Sequence, residues 1–221
     1  MTDPILGAAR EALVPVRGGL LSPGLRRDIA DLNTQYFELG LKAGLDGDPR
    51  FAWSEAVRGC LLEADADTLA RVAAAPFALF DLLLPAGSAT AATARVEDSR
   101  SAPGPGPWLG RCASFAHQAT SVARRLADCD PLTSRVALGL SPEAHSWLVD
   151  CRPSQLAELA GSPQAIRPRW RLHARFWETL VGAARRNSPM ALQWAYCMGL
   201  SLIDATDGAT VPAATRRRTR R

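Results

Sequence analysis

Lysine is almost missing from this 221-residue chain: Lys42 stands alone, so nearly all of the 26 basic residues are arginine. A bias that general reflects the base composition of the coding sequence rather than a task for guanidinium. Histidine is scarce as well. His117, His145 and His173 are scattered along the chain, none with a second ligand four residues away on the same helix, which excludes the common helical metal pair. The five cysteines, Cys60, Cys112, Cys129, Cys151 and Cys197, never come within the two-to-four-residue spacing of a zinc knuckle or a redox pair. The start, Met1-Thr2-Asp3-Pro4, has no basic region followed by an apolar run, so no signal peptide is read there. Reduced thiols in the cytoplasm are the resulting expectation. No uncharged apolar stretch approaches the roughly 18 residues of a membrane span. A phosphate loop is missing too: Gly18-Gly19 follows Arg17 without a strand before it or a Lys-Ser/Thr after it, and no Gly-x-Ser-x-Gly elbow occurs. These absences predict a protein without metal or cofactor, and no enzyme.

What is present is ordinary in bulk and uneven in detail. A hydrophobic content of 47% and a charged content of 22% suit a soluble globular chain, long enough to bury a core without disulfides. The formal net charge of +4 belongs to the end of the chain. Arg216, Arg217, Arg218, Arg220 and Arg221 supply five positive charges, and without them the balance becomes −1. A tail of this kind attracts polyanions without reading sequence, so these arginines are candidate nonspecific nucleic-acid contacts on a basic, disordered segment, 205–221. A plain solubilising end is the alternative.

Helix starts are marked by a capping residue followed by proline. Asp3-Pro4, Ser22-Pro23, Asp130-Pro131, Ser141-Pro142 and Ser188-Pro189 each place a side-chain oxygen before a residue whose missing N–H costs nothing at the first helical position. An all-α chain is expected. A helix from about Pro23 to Ala43 carries Leu25, Ile29, Leu32, Tyr36 and Leu39 at alternating spacings of four and three, the seam of a coiled coil with a long partner helix. Short helices are predicted over 52–62 and 66–75, while 77–84, apolar but for Asp81, is short and reads as either strand or helix. Between Pro85 and Pro107 the chain turns to Ala, Gly, Ser, Thr and Pro and should act as a tether. Beyond it, helices are predicted over 108–128, 142–149, 154–160, 169–186 and 189–204.

Two halves result, an N-terminal helical unit over 1–84 and a C-terminal unit over 108–204, joined by the flexible linker 85–107. They share sequence. Leu69-Ala70-Arg71-Val72-Ala73-Ala74-Ala75-Pro76 is echoed 87 positions later by Leu156-Ala157-Glu158-Leu159-Ala160-Gly161-Ser162-Pro163, and Asp48-Pro49 meets Asp130-Pro131 at an offset of 82. A duplicated unit buries its apolar face against its own copy, so a pseudo-symmetric body with Leu25, Ile29, Leu32, Tyr36 and Leu39 in the seam is the expectation.

Six tryptophans accompany only two tyrosines. Trp170, Trp177 and Trp194 crowd into the last predicted helices near Arg169, Arg171 and Arg175, a combination enriched at interfaces, and are candidate partner-binding residues; core packing is the alternative for each. The corner at Asp150-Cys151-Arg152-Pro153 has the length of a helix-turn-helix. Its second helix, Ser154-Gln155-Leu156-Ala157-Glu158-Leu159, holds one acid and no base, which suits a helical corner better than a reading helix.

The second half resembles the D subunit of the bacterial flagellar master transcription regulator, the FlhD family, from about Ser114 to Asp204. The residues that carry this are Val122-Ala123-Arg124-Arg125-Leu126, then Leu138-Gly139-Leu140-Ser141-Pro142-Glu143-Ala144, then Gln155-Leu156-Ala157-Glu158-Leu159-Ala160, and Met198-Gly199-Leu200-Ser201 near the end. Asp31-Leu32-Asn33-Thr34-Gln35-Tyr36 is similar to the family's opening. The resemblance implies small all-helical subunits that pair as homodimers, join a zinc-bearing C subunit and activate flagellar promoters, contributing assembly more than base reading. Members are about half this length, so the chain would be two FlhD-like units fused. A cysteine that links subunits in some members aligns with Arg167, and the linker and arginine tail have no family counterpart. On this reading the partners are a zinc-bearing C-type regulator subunit or another protein, DNA is reached indirectly, no membrane is involved and further self-association stays open. An interaction adaptor or secretion-system accessory with no role at DNA is the alternative.

Overall fold

Four of the five capping steps are built as expected. Ser22, Ser141 and Ser188 accept from the backbone N–H three residues on at 3.2–3.4 Å, and Asp130 does so at 2.8 Å. The fifth, Asp3-Pro4, lies outside the described residues. The computed structural model describes residues 21–48, 51–84, 108–162 and 165–208. The predicted linker, Arg216 to Arg221 and most of the predicted tail therefore fall outside it.

Among the described residues the chain is mostly helical. The order is α1 (Pro23–Leu45), α2 (Glu55–Leu62), α3 (Ala66–Ala73), β1 (Phe80–Leu82), α4 (Leu109–Ala127), α5 (Pro131–Leu138), α6 (Pro142–Asp150), α7 (Pro153–Gly161), β2 (Ile166–Pro168), α8 (Ala174–Arg185) and α9 (Pro189–Gly208). No described helix is long and apolar enough to cross a membrane.

Several boundaries differ from the sequence reading, each for a local reason. The ambiguous stretch 77–84 contains strand β1, because it has a partner: β1 pairs antiparallel with β2, matching Phe80 to Pro168, Asp81 to Arg167 and Leu82 to Ile166. Further backbone bonds, Leu83 N–H to the Ala165 carbonyl and Arg169 N–H to the Leu79 carbonyl, lengthen the ladder at both ends. The helix expected from Arg169 starts only at Ala174, since 166–168 is strand and Trp170 turns the chain with a left-handed φ of 51°. An additional short helix, α5, begins at the Asp130-Pro131 cap and ends at Gly139 (φ 66°). A side chain at 139 would also run into the Arg169 guanidinium.

Part of the element order recurs: each half has a long helix, short helices and a strand, while α5 is extra in the second half and α8 and α9 follow its strand. Residues Ile29, Leu32, Asn33, Tyr36, Phe37, Gly40 and Ala43 of α1, displaced by 83 positions, become Cys112, Phe115, Ala116, Ala119, Thr120, Ala123 and Leu126 of α4, and all fourteen are buried. The N-cap residues Ser54 and Ser141 stand 87 positions apart, as do the first residues of α3 and α7. Helices α1 and α4 run antiparallel. Asp28 early in α1 pairs with Arg125 late in α4, while Asp46 after α1 accepts from Trp108 Nε1 just before α4 at 2.8 Å. Both halves feed one continuous core.

The coiled-coil seam is replaced by something broader. Ile29, Leu32, Tyr36 and Leu39 are buried and Leu25 is half-buried, yet α1 packs against both α4 and α3. Tyr36 sits among five rings, Phe37, Phe51, Trp53, Phe80 and Phe115, with centroids 5.3–6.2 Å away. A residue that touches rings from two helices, a loop and a strand serves a layered core rather than a two-helix stripe.

Candidate interaction surface

The junction of the halves is held by one buried cation. Arg169 is 4% exposed. Its Nε donates to Asp81 at 2.8 Å and its Nη1 to the Ala78 carbonyl at 2.9 Å, while Nη2 donates to the Leu138 carbonyl. Arg167, across the ladder from Asp81, adds a second ion pair at 3.2 Å. Every donor direction used here ends on an acceptor, which is what a buried guanidinium requires. The arrangement consumes Arg169 internally and offers nothing to a ligand. Tyr36 has its hydroxyl pushed well above the ordinary range by burial, with Asp81 and Cys112 adding in the same direction.

Polar clamps of different chemistry tie each long helix to the short elements of its own half. The buried Asn33 amide donates to the Ala73 and Phe77 carbonyls, both at 3.0 Å, and its oxygen accepts from Leu79 N–H at 2.8 Å. In the second half Arg124 donates to the carbonyls of Leu148 and Cys151 at the end of α6. Asn33 lies in the Asp31–Tyr36 motif, so the residue that made that motif recognisable is a structural clamp.

The candidate chemical groups resolve in the same way. Ser134 Oγ and His145 Nδ1 are 2.9 Å apart, the separation of a nucleophile and its base. The hydroxyl is buried and also lies within bonding distance of the Asp130 and Pro131 carbonyls, so the pair ties α5 to α6. Gln155, on the helix weighed for base reading, uses its amide oxygen to cap its own helix at the Arg152 N–H, 2.8 Å away. None of the five cysteines is joined in a disulfide, and among the described residues no group of three or more His, Cys, Asp or Glu is placed to hold a metal.

The three tryptophans proposed for partner binding separate. Trp177 is fully buried, its indole N–H donating to the Trp170 carbonyl at 3.2 Å, and Trp170 is 8% exposed. Both are core residues, corrected from the sequence reading: Trp170 packs edge-on against Phe77 and Phe176, and Trp177 against Phe37. Trp194 is 66% exposed. It lies on α9, where Met190, Trp194, Cys197 and Ser201 are exposed at steps of four, three and four, one face of a helix. The opposite face is buried through Ala195 and Gly199, and a side chain at 199 would meet the Phe77 ring.

From Pro189 to Ile203 this helix contains no charged residue. A surface helix ordinarily turns a charged face to water, and an uncharged one is usually covered on both sides. Met190, at 83% exposed, and Trp194 therefore form an apolar surface out of keeping with bulk solvent. The sequence signal was the missing charge along α9, more than its aromatic content. Matches were sought among protein-family models, curated proteins and solved structures, and none was found.

Proposed function

We propose that this chain is a cytoplasmic transcription-regulatory subunit made of two FlhD-like units in tandem, a dimer written as one polypeptide, that acts by docking a DNA-binding partner. The observation that carries the reading is that equivalent segments meet antiparallel. Helix α1 lies against α4, with Gln35 and Gln118, 83 positions apart, lining one cleft between them. Strand β1 lies against β2 with Asp81 opposite Arg167. A local two-fold axis produces both pairings at once.

The resemblance supports the same arrangement. The family position at which a cysteine links subunits falls on Arg167, in the middle of the ladder, and here an ion pair with Asp81 takes that place. The order of a long helix, short helices and a strand follows the motifs that carry the resemblance. On this reading α9, through Met190 and Trp194, holds the partner, a zinc-bearing C-type regulator. DNA is reached through that partner, in flagellar or related gene control, and Arg216 to Arg221 add phosphate contacts without sequence preference.

The test is an affinity pull-down from native cytoplasm with the intact chain, a chain lacking residues 216–221 and a Trp194→Glu variant. Recovery of a zinc-bearing regulator with promoter DNA by the first two, and loss of both by the third, is the expected result. Recovery of a client unrelated to transcription, with DNA held only by the intact chain, would move the function to an interaction adaptor, a reading that the apolar α9 face also favours.

A further inference from the structure

Helix α8 belongs to the second half by sequence and covers the first half in space, packing across α2 and α3. Arg71 Nε donates to the Ala184 carbonyl near the end of α8 at 2.8 Å, and Arg185 donates to the Glu63 carbonyl at 3.4 Å. Cys60 lies in the same contact, where the charges of Arg185 and Glu178 reach it. Moved 87 positions along the chain, Cys60, Glu63 and Arg71 become Trp147, Asp150 and Glu158. These belong to α6 and α7. Those two helices pack inward on α4, and α6 on α5, but no described element lies across them as α8 lies across α2 and α3.

The exposure of the two faces differs accordingly. Thr68, Val72 and Ala73 of α3 are buried, whereas Ala160 is the one buried residue of α7. Trp147, Leu156 and Leu159 are left half-buried at the edge of the core, and Val149 is exposed. The charge has changed as well. The base Arg71 is replaced by the acid Glu158, so Glu143, Asp150 and Glu158 on α6 and α7 face Arg152 and, from α4, Arg124, which is held by the Leu148 and Cys151 carbonyls, with His145 turned to Ser134.

We propose that the α6–α7 face is a docking site for one amphipathic helix of a partner protein, with an apolar stripe for Trp147, Leu156 and Leu159 and arginine or lysine for Asp150 and Glu158. The inference rests on the two-unit reading above, because the covered face of the first half defines what the open face of the second takes. Its occupant is the counterpart of α8, itself an apolar-faced helix flanked by Arg175, Arg185 and Arg186. Helix-in-groove recognition of this type reads apolar anchors at three- and four-residue spacing, and the acidic rim selects a basic ligand.

The probe is a fluorescent synthetic peptide of residues 172–187, which carries that chemistry, titrated against the full chain by anisotropy. Saturable micromolar binding, weakened about tenfold or more by Leu159→Glu or Glu158→Arg with unchanged circular dichroism, is expected. Absence of saturable binding overturns the proposal, and so does binding that both substitutions leave intact, which would place the peptide elsewhere. Spin labels at Gln35→Cys and Gln118→Cys, in a chain with its native cysteines replaced, test the two-unit reading separately. A short distance between them without peptide binding leaves the tandem dimer standing and rejects the docking site. A long distance rejects both.

Discussion

Helices α3 and α7 begin 87 residues apart and repeat one Ala/Leu-rich sequence, yet one is a core helix and the other lies at the edge. The difference comes from a third element. Helix α8 lies across α3, whose Thr68, Val72 and Ala73 are buried, while α7 packs chiefly on α4. Local sequence therefore set the helix and its inward face in both segments, and long-range packing decided how much each contributes. An amphipathic helix of eight or nine residues has little stability of its own, so its neighbours determine its worth.

The contrast can be broken most strongly from α8. Trp177→Ala removes the largest fully buried side chain of that helix and should cost about 3–5 kcal/mol in chemical denaturation. Hydrogen exchange should rise in α2 and α3 and stay unchanged in α7. Arg169→Ala comes next. It leaves the Asp81 carboxylate to Arg167 alone and strands two carbonyls at the junction, and about 3 kcal/mol of destabilisation is expected by the same assay. A loss below about 1 kcal/mol would mean that the halves do not depend on this contact.

A matched pair sharpens the comparison. Val72→Ala in α3 should cost about 2 kcal/mol, from two buried methyl groups and the cavity they leave. Leu159→Ala at the corresponding position of α7 removes a larger side chain and should cost under about 1 kcal/mol, because the site is already half open to solvent. Equal losses would erase the distinction between the two faces.

Acid should separate the same helices. Asp65 caps α3, and the hydrogen bond from the Thr68 backbone N–H, 2.7 Å long, holds its carboxyl below the ordinary range. Asp130 caps α5 and is lowered by the Thr133 hydroxyl and then its N–H. Because the folded values are depressed, this contribution is complete above the unfolded carboxyl range, near pH 4, and is lost as pH falls through the folded values. The residue 87 positions beyond Asp65 is Arg152, which has no carboxyl group. Exchange measured between pH 5 and pH 3 should loosen the starts of α3 and α5 and spare that of α7, and Asp65→Asn should flatten the response of α3.

The smallest effect is expected at Tyr36. Its hydroxyl is buried without a hydrogen-bond partner, so Tyr36→Phe should leave the melting temperature unchanged or raise it slightly. A clear loss would point to an ordered water bound there.

Most helices were legible because their starts were written locally, in Ser-Pro and Asp-Pro steps. What could not be read were features made by distant partners. Strand β1 exists because Ile166 to Pro168 lies beside it, and three residues are too few to show a period that would announce this. Trp170 and Trp177 looked like interface residues because composition does not say which side of a helix meets a core. Trp194 could have been separated from them by noticing that its helix has no charge from Pro189 to Ile203. The Asp31–Tyr36 motif was visible, but the use of Asn33 as a clamp on α3 and β1 depends on contacts 40 or more residues away.

The crossing of α8 onto the first half also sets an order of events during synthesis. When α2 and α3 leave the ribosome, the helix that will cover them has not been made, and neither have Arg169 and the strand that pairs with β1. At the usual rate of about 5–20 residues per second, the early half waits on the order of ten seconds with its apolar face bare. It must pass that interval as a partly ordered intermediate, and a nascent chain stalled between the halves would be a client for chaperones rather than a finished domain.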